Sequence, residues 1–299
     1  MYLSVSGLEI NPLLPPLISF AVSLVTSTGG VSGAFLLLPL QVSVLGFATP
    51  SVSATNHLYN VVAIPGGVFR YVREGRMVWP LTWAVILGTL PGVCLGAYLR
   101  IKFLPDPRLF KLFVAAVLAY IASRMVLDLV GKRGRTGKTG GGGKGERMSP
   151  VTVLQFDARR IAYRFQGVEY AAPTMGIGLL CLVVGVIGGT YGIGGGSIVA
   201  PFFVTVFGLP VHTIAGAALM GTFVTSVAGV GFYELLAPFY PEMAVRPDWT
   251  LGILFGLGGL AGTYLGARVQ RFVPARVIKG VLAGCLLFVV GKYLLEFLS

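Results

Sequence analysis

The stretch GTYGIGGGSIVAPF, residues 189–202, crowds four glycines into the positions from Gly192 to Gly196, broken only by Ile193, and Pro201 follows. A shift of 162 residues lays it on STGGVSGAFLLLPL, residues 27–40. Thr28 then meets Thr190, Gly30 meets Gly192, Gly33 meets Gly195, Pro39 meets Pro201 and Gly46 meets Gly208. Further along the shift grows to 170, and Gly88, Gly92, Gly96 and Ala97 fall on Gly258, Gly262, Gly266 and Ala267. Arg108 and Lys111 fall on Arg276 and Lys279 at a shift of 168. Matches that keep their order from Thr28 to Lys111 mark a duplicated unit.

The chain around these repeats is too apolar for a soluble domain: 299 residues, 55% hydrophobic, 11% charged, mean hydropathy +0.83. Apolar stretches near 51–72, 79–99, 108–130, 212–236, 249–267 and 276–298 each have about the 20 residues a bilayer-crossing helix needs. The fold class expected is an all-α integral membrane protein. Residues 1–131 form membrane repeat one, 132–172 a linker, and 173–299 membrane repeat two. The N-terminus lacks a basic n-region, so no cleavable signal peptide is expected. Cys94, Cys181 and Cys285 stand far apart in apolar segments and read as small buried hydrophobes, with no CxxC pair.

Each unit opens with two apolar pieces too short to span, near 15–28 and 34–47, then 174–191 and 197–208, with the glycine-rich turn between them. Three full-length segments are expected after each pair. Whether a short pair dips and returns or crosses twice, the number of crossings per unit is odd. An odd unit repeated once enters upside down, so the expected architecture is an inverted-topology repeat. Charge supports that orientation. The linker carries Lys132, Arg133, Arg135, Lys138, Lys144, Arg147, Arg159, Arg160 and Arg164 and belongs in the cytoplasm. Counting outward puts Arg70, Arg73, Arg76, Arg268, Arg271, Arg276 and Lys279 inside and both termini outside. Arg100, Lys102, Arg108 and Lys111 dissent. Within the linker, a basic glycine-rich run is followed by VTVLQFDARRIAYRFQGVEYAAP, whose alternation and turn at Gln166-Gly167 predict a small β-meander. Its basic face suits anionic lipid headgroups, or docking of a partner. No nucleic-acid partner is expected, and a homo-oligomer stays open.

Phosphate-loop chemistry fails on spacing. The run Gly192-Ile193-Gly194-Gly195-Gly196 lacks the βαβ context of a dinucleotide fingerprint, and Gly137-Lys138-Thr139 has Lys132 where a P-loop glycine belongs. Gly88, Gly92 and Gly96, like Gly258, Gly262 and Gly266, recur every fourth residue and read as helix-packing surface. The turns differ. A turn at membrane depth is tolerated only inside protein or against a cavity. The helix starts near Ser197 and Ser32–Gly33 offer free N–H groups, and glycine leaves room for a ligand beside them. Two such starts together offset about one negative charge. The expected occupant is a small anion. Candidate contacts are Thr28, Gly30, Ser32 and Gly33 at the first turn, and Thr190, Tyr191, Gly194, Gly195, Gly196 and Ser197 at the second. The first long segment adds Asn56, His57 and Asn60, whose counterparts in repeat two are Ala218, Leu219 and Thr222, so Thr222 joins the set. An intramembrane histidine is a functional candidate by default; His57 could donate to an anion, titrate, or bond a neighbouring helix. His212, beside Pro210, reads as a loop residue. Asp128, Glu234 and Glu296 lie near span ends, with Arg124 and Asp128 spaced as an i,i+4 pair, so no carboxylate relay is evident. Nothing converges as an acid, base, nucleophile or metal cluster, which argues against an enzyme, a metal site or a cofactor.

Paired GxxGxGGGxxxxP turns among about eight to ten apolar segments resemble the TauE/SafE family of sulfite and organosulfur-anion exporters. The resemblance covers nearly all of the chain outside 132–172. YGIGGGSIVAPFF (191–203) looks like a strong match, whereas TGGVSGAFLLLPL (28–40) departs from the pattern at Val31-Ser32 and Ala34-Phe35. It implies a multi-pass carrier in the cytoplasmic membrane that moves sulfite, sulfonates such as sulfoacetate, or related anions. Import or channel-like passage of thiosulfate or sulfate is the alternative. The basic insert lies outside that pattern.

Overall fold

A computed structural model describes residues 1–28, 32–73, 75, 77–130, 152–157, 159–165, 167–269 and 275–298. A short hairpin, β1 (Tyr2–Leu3) and β2 (Leu8–Glu9), precedes α1 (Leu14–Thr28) and α2 (Ala34–Ser43). Next come α3 (Ser51–Ala63), α4 (Pro65–Arg73), α5 (Trp79–Lys102) and α6 (Pro107–Val130). A three-stranded sheet, β3 (Thr152–Phe156), β4 (Arg160–Phe165) and β5 (Val168–Pro173), leads into α7 (Thr174–Tyr191) and α8 (Gly196–Val206). Then follow α9 (Val211–Leu236), α10 (Trp249–Val269) and α11 (Ala275–Leu298). Among the described residues, α5, α6, α7, α9, α10 and α11 contain segments long and apolar enough to cross a membrane.

The every-fourth glycines decide how the helices pair. A Cβ at Gly88 would stand 2.6 Å from the Cβ of Cys181, one at Gly92 2.4 Å from Leu182 O, and one at Gly96 2.2 Å from Val186 O. The α5 backbone therefore lies against α7, the two running parallel. The same register recurs between α10 and α1. Cβ atoms at Gly258, Gly262 and Gly266 would meet Pro16 O at 2.0 Å, Phe20 O at 2.4 Å and Leu24 O at 2.6 Å. Phe20 and Leu182, like Leu24 and Val186, are 162 apart, while the glycines facing them are 170 apart. Each repeat thus lends its first helix to the other, and these are the two largest helix interfaces. Only glycine permits such approach, which is how membrane helices gain packing without a hydrophobic driving force. The third cross-repeat pair, α6 with α11, includes a Lys111–Glu296 ion pair of 2.6 Å.

Three expectations are corrected. The piece at 174–191 is long enough to cross, whereas α1, α2 and α8 remain short. The segment at 51–72 is not one helix: it breaks between α3 and α4 at Pro65, which has no N–H to give. Ile64 N still donates to Asn60 O (3.0 Å), but Gly67 N and Val68 N turn to Ile64 O (2.9 and 3.2 Å), restarting the helix. Its counterpart α9 is continuous. Finally, two of the dissenting basic residues are not free loop charges. Lys111 is paired as above, and the guanidinium of Arg100 is buried, donating to Leu104 O and, at 2.8 Å, to Ala48 O.

The meander forms where alternation placed it, in the order β3-β4-β5, with Gly167 at φ 78° turning β4 into β5. Ile161, Tyr163 and Phe165 of β4 are buried in the main core, and Tyr163 Oη lies 2.7 Å from Thr213 Oγ1 at the start of α9. At the opposite end of the bundle, Asp248 caps α10 by accepting from Leu251 N (3.0 Å) and takes the Ser6 hydroxyl at 2.8 Å, tying down the N-terminal hairpin. The linker run 132–150, the side chains of Arg70, Asp128, His212, Arg268, Arg276 and Lys279, and all of Arg76 and Arg271 lie outside the described residues. The Arg124–Asp128 pairing therefore lies outside them too.

Candidate functional site

The second glycine turn is built for close approach of protein to protein. Gly192, at φ 88°, ends α7 in the left-handed conformation, and its N–H returns to Gly188 O at 2.8 Å. Gly194 is left-handed as well, at φ 74°, while Gly195 is helical at φ −63° and Gly196 opens α8. A Cβ at Gly192 would lie 2.3 Å from Ser53 O, one at Gly195 2.5 Å from the Thr89 Cβ, and one at Gly196 2.1 Å from Ala218 O. The expectation that glycines at 195 and 196 open space for a ligand is thus modified: α5 and α9 fill that space. Gly195 N donates to Thr225 Oγ1 (3.2 Å), and Ser197 Oγ donates to Ile193 O (2.9 Å) and sits 3.1 Å from Thr222 Oγ1. Thr190 Oγ1 reaches Gly96 O at 3.0 Å, and the Tyr191 hydroxyl donates to Phe35 O at 2.8 Å.

That last bond joins the two halves, because Phe35 lies in the first turn of α2. Ser32, just before it, accepts from Ala34 N (3.3 Å) and donates to Asn60 Oδ1 (3.4 Å). Asn56 Nδ2 donates to Ala34 O at 3.2 Å. Gly33 is another contact forced by space, since a Cβ there would meet the Tyr59 hydroxyl at 2.3 Å. His57 points to the other repeat: Nδ1 is 3.3 Å from Ser226 Oγ, the ring is 6.2 Å from that of Tyr233, and Nε2 has no hydrogen-bond partner. Gly229 leaves the imidazole its place.

α3 and α9 therefore stand between the two short-helix starts and carry the polar groups that face them. Asn56, His57 and Asn60 are fully buried. Asn56 Oδ1 and Asn60 Nδ2 have no hydrogen-bond partner. Leaving an acceptor and a donor unmade at this depth costs on the order of 1–3 kcal/mol each, so the amides present unspent hydrogen-bonding capacity at the centre of the bundle. Of the sequence candidates, Ser32, Gly33, Asn56 and Asn60 cluster around the first turn. Thr190, Tyr191, Gly194, Gly195, Gly196, Ser197 and Thr222 cluster around the second, with His57 bridging to α9. Gly30 and the Thr28 side chain lie outside the described residues.

Sequence reasoning missed Thr225 and Ser226, which continue the Thr222 face of α9 at helical spacing, and Ser53, which donates to Thr190 O at 2.9 Å. Extending the stripe by one turn would have found them. Among the described residues no group of three His, Cys, Asp or Glu side chains is placed to hold a metal.

Comparison with known proteins matches residues 16–293 to the sulfite exporter TauE/SafE family. The chain is also similar to the probable membrane transporter protein YdhB of Bacillus subtilis (strain 168), at 30% identity over 108 residues. That alignment spans 36% of this chain and 41% of the relative. No solved structure matches. With the family's pattern running through both glycine turns and every long helix, the chain belongs to the sulfite exporter TauE/SafE family, a family of membrane transporters rather than enzymes.

Proposed function

We propose that this protein is a secondary carrier in the cell membrane that exports a small sulfur-containing anion, sulfite or an organosulfonate. The site lies near the bilayer midplane between the two glycine-led helix starts, with the repeats in inverted orientation. The linker is cytoplasmic and both termini face outside. One observation carries the reading: the unpaired amide atoms of Asn56 and Asn60, buried beside the Ser32 turn and across from the Thr222 face. An oxyanion is bound there by Asn60 Nδ2. The two helix starts supply about half a positive charge each, without a lysine or arginine in the cradle. The inverted arrangement is supported by the end of α5 and the start of α10 sharing one face of the bundle. There Arg100 reaches Ala48 O, and Ser51 N donates to Ala244 O at 2.9 Å.

Transport follows from the swapped pairing. α1–α10 and α5–α7 move as rigid glycine-packed units, while α3 and α9, carrying the polar groups, form the surface about which they rock. The test is anion flux in proteoliposomes with sulfite, sulfonates, thiosulfate and sulfate, with and without a pH gradient. Saturable movement of sulfite or a sulfonate is expected. Movement of thiosulfate or sulfate alone would replace the substrate, and no anion flux would remove the reading.

A further inference from the structure

Arg100 is a buried cation that the site described above does not use. Its side chain is fully buried in the last turn of α5. The guanidinium donates to Leu104 O and Ala48 O and lies 3.7 Å from the centroid of the Phe110 ring, while its Nε has no partner. Carbonyls and a ring face stabilise a cation but do not neutralise it, and among the described residues no carboxylate pairs with Arg100. Buried charges are ordinarily paired, so a whole positive charge stands uncompensated in the protein interior.

Its position relates it to the polar centre. Gly96, one turn earlier on α5, receives the Thr190 hydroxyl at 3.0 Å. Tyr233, within electrostatic reach of Arg100, has its ring 6.2 Å from the His57 ring at a tilt of 45° and donates to Gly189 O at 3.3 Å. One aromatic layer thus separates the guanidinium from the groups around the second turn. We propose that Arg100 is an electrostatic specificity determinant of the anion pathway: its uncompensated charge selects anions, and favours doubly over singly charged ones, without touching them. The inference rests on the anion-transport reading above. Through a partly polar interior, a full unit charge acting across one aromatic layer changes the affinity for a monoanion by on the order of tenfold, and for a dianion by about the square of that.

The experiment uses full-length protein and two probes, methanesulfonate with one negative charge and sulfoacetate with two, measured by anion-dependent thermal stabilisation and by competition in proteoliposomes. Arg100→Gln keeps donors for the carbonyls and removes the charge. It should weaken methanesulfonate about tenfold and sulfoacetate about a hundredfold, while Arg100→Lys stays within about threefold of wild type for both. Phe110→Glu supplies the missing carboxylate while leaving the guanidinium in place, and should reproduce the same unequal losses if Arg100→Gln fails to fold. Equal losses for the two probes, or unchanged binding in a folded variant, overturns the proposal and returns Arg100 to capping loop carbonyls. A wild-type protein that binds sulfite but neither probe overturns Arg100's role, and one that binds none of the three overturns the transport reading as well. A wild type that binds both, with variants unaffected, overturns Arg100's role alone.

Discussion

The two repeats share a skeleton and differ in their polar lining. Their packing glycines meet the same positions of the exchanged helix, turn for turn. The helix after the short pair, however, is broken at Pro65 and carries two asparagines and a histidine in repeat one, but is continuous and carries Thr222, Thr225 and Ser226 in repeat two. Backbone-to-backbone packing tolerates no drift, because any side chain at those glycines would overlap a carbonyl. A cavity lining has no such constraint. The frame is alike and the lining is not, so one half offers unpaired amides and the other hydroxyls already bonded within their own helix.

If the frame is symmetric, equivalent glycines must fail equally. Gly96→Val and Gly266→Val place a Cβ 2.2 Å and 1.9 Å from atoms of the exchanged helix, and both should abolish recovery of monodisperse protein in detergent. Survival of one and not the other would show that the interfaces are not equivalent. Gly196→Val belongs with these, since its Cβ would meet Ala218 O at 2.1 Å.

If the lining is asymmetric, removing an unpaired group and a paired one must differ. Asn60→Leu deletes the free Nδ2 together with the Oδ1 that accepts weakly from Ser32 at 3.4 Å, and should weaken anion binding by tenfold or more, about 1.4 kcal/mol, while changing the melting temperature little. A thermal shift assay with and without anion reads both. Thr225→Val removes the acceptor for Gly195 N, so it should lower the melting temperature and change affinity less.

The bridge between the halves is smaller in effect. His57→Ala and Ser226→Ala should each weaken binding several-fold, and the double variant should lose no more than either alone, because the two side chains meet at 3.3 Å. Additive losses, measured as a double-mutant cycle, would separate them.

The smallest effect belongs to the meander. The Asp157 carboxylate is held below the usual aspartate range by the N–H groups of Arg160 and Arg159 and by Gln155. Because its folded value is depressed, the contribution is present at neutral pH and is lost as pH falls through that lowered value. Asp157→Ala should speed amide exchange of the β3–β4 turn at pH 7, leave anion binding intact, and make progressively less difference as acid protonates the carboxylate.

Much of this was legible without coordinates. Apolar length revealed the long helices, period-two alternation the sheet, and glycines every fourth residue the packing rows, because each reflects a constraint acting on one face at fixed spacing. What escaped reading was set by partners distant in sequence. Hydropathy over 51–72 averaged across Pro65 and hid a break that the loss of one N–H imposes. Arg100 resembled a loop charge because it lies two residues from the end of α5, and only Ala48, Leu104 and Phe110 show that it turns inward. Gly195 and Gly196 signalled a need for space, but sequence does not say whether ligand or helix fills it.

The exchange of first helices also sets an order of events at the ribosome. α7 is made after its partner α5 and finds it waiting in the bilayer. α1 is made first, and 220 residues lie between Thr28 and Trp249, where α10 begins. At about 5–20 residues per second, α1 waits roughly 10–45 s with Ser19, Ser23 and Ser27 turned toward lipid or a chaperone. The oldest part of the nascent chain thus waits longest to be housed, and a chain truncated before α10 is left with an orphaned helix that quality control can recognise.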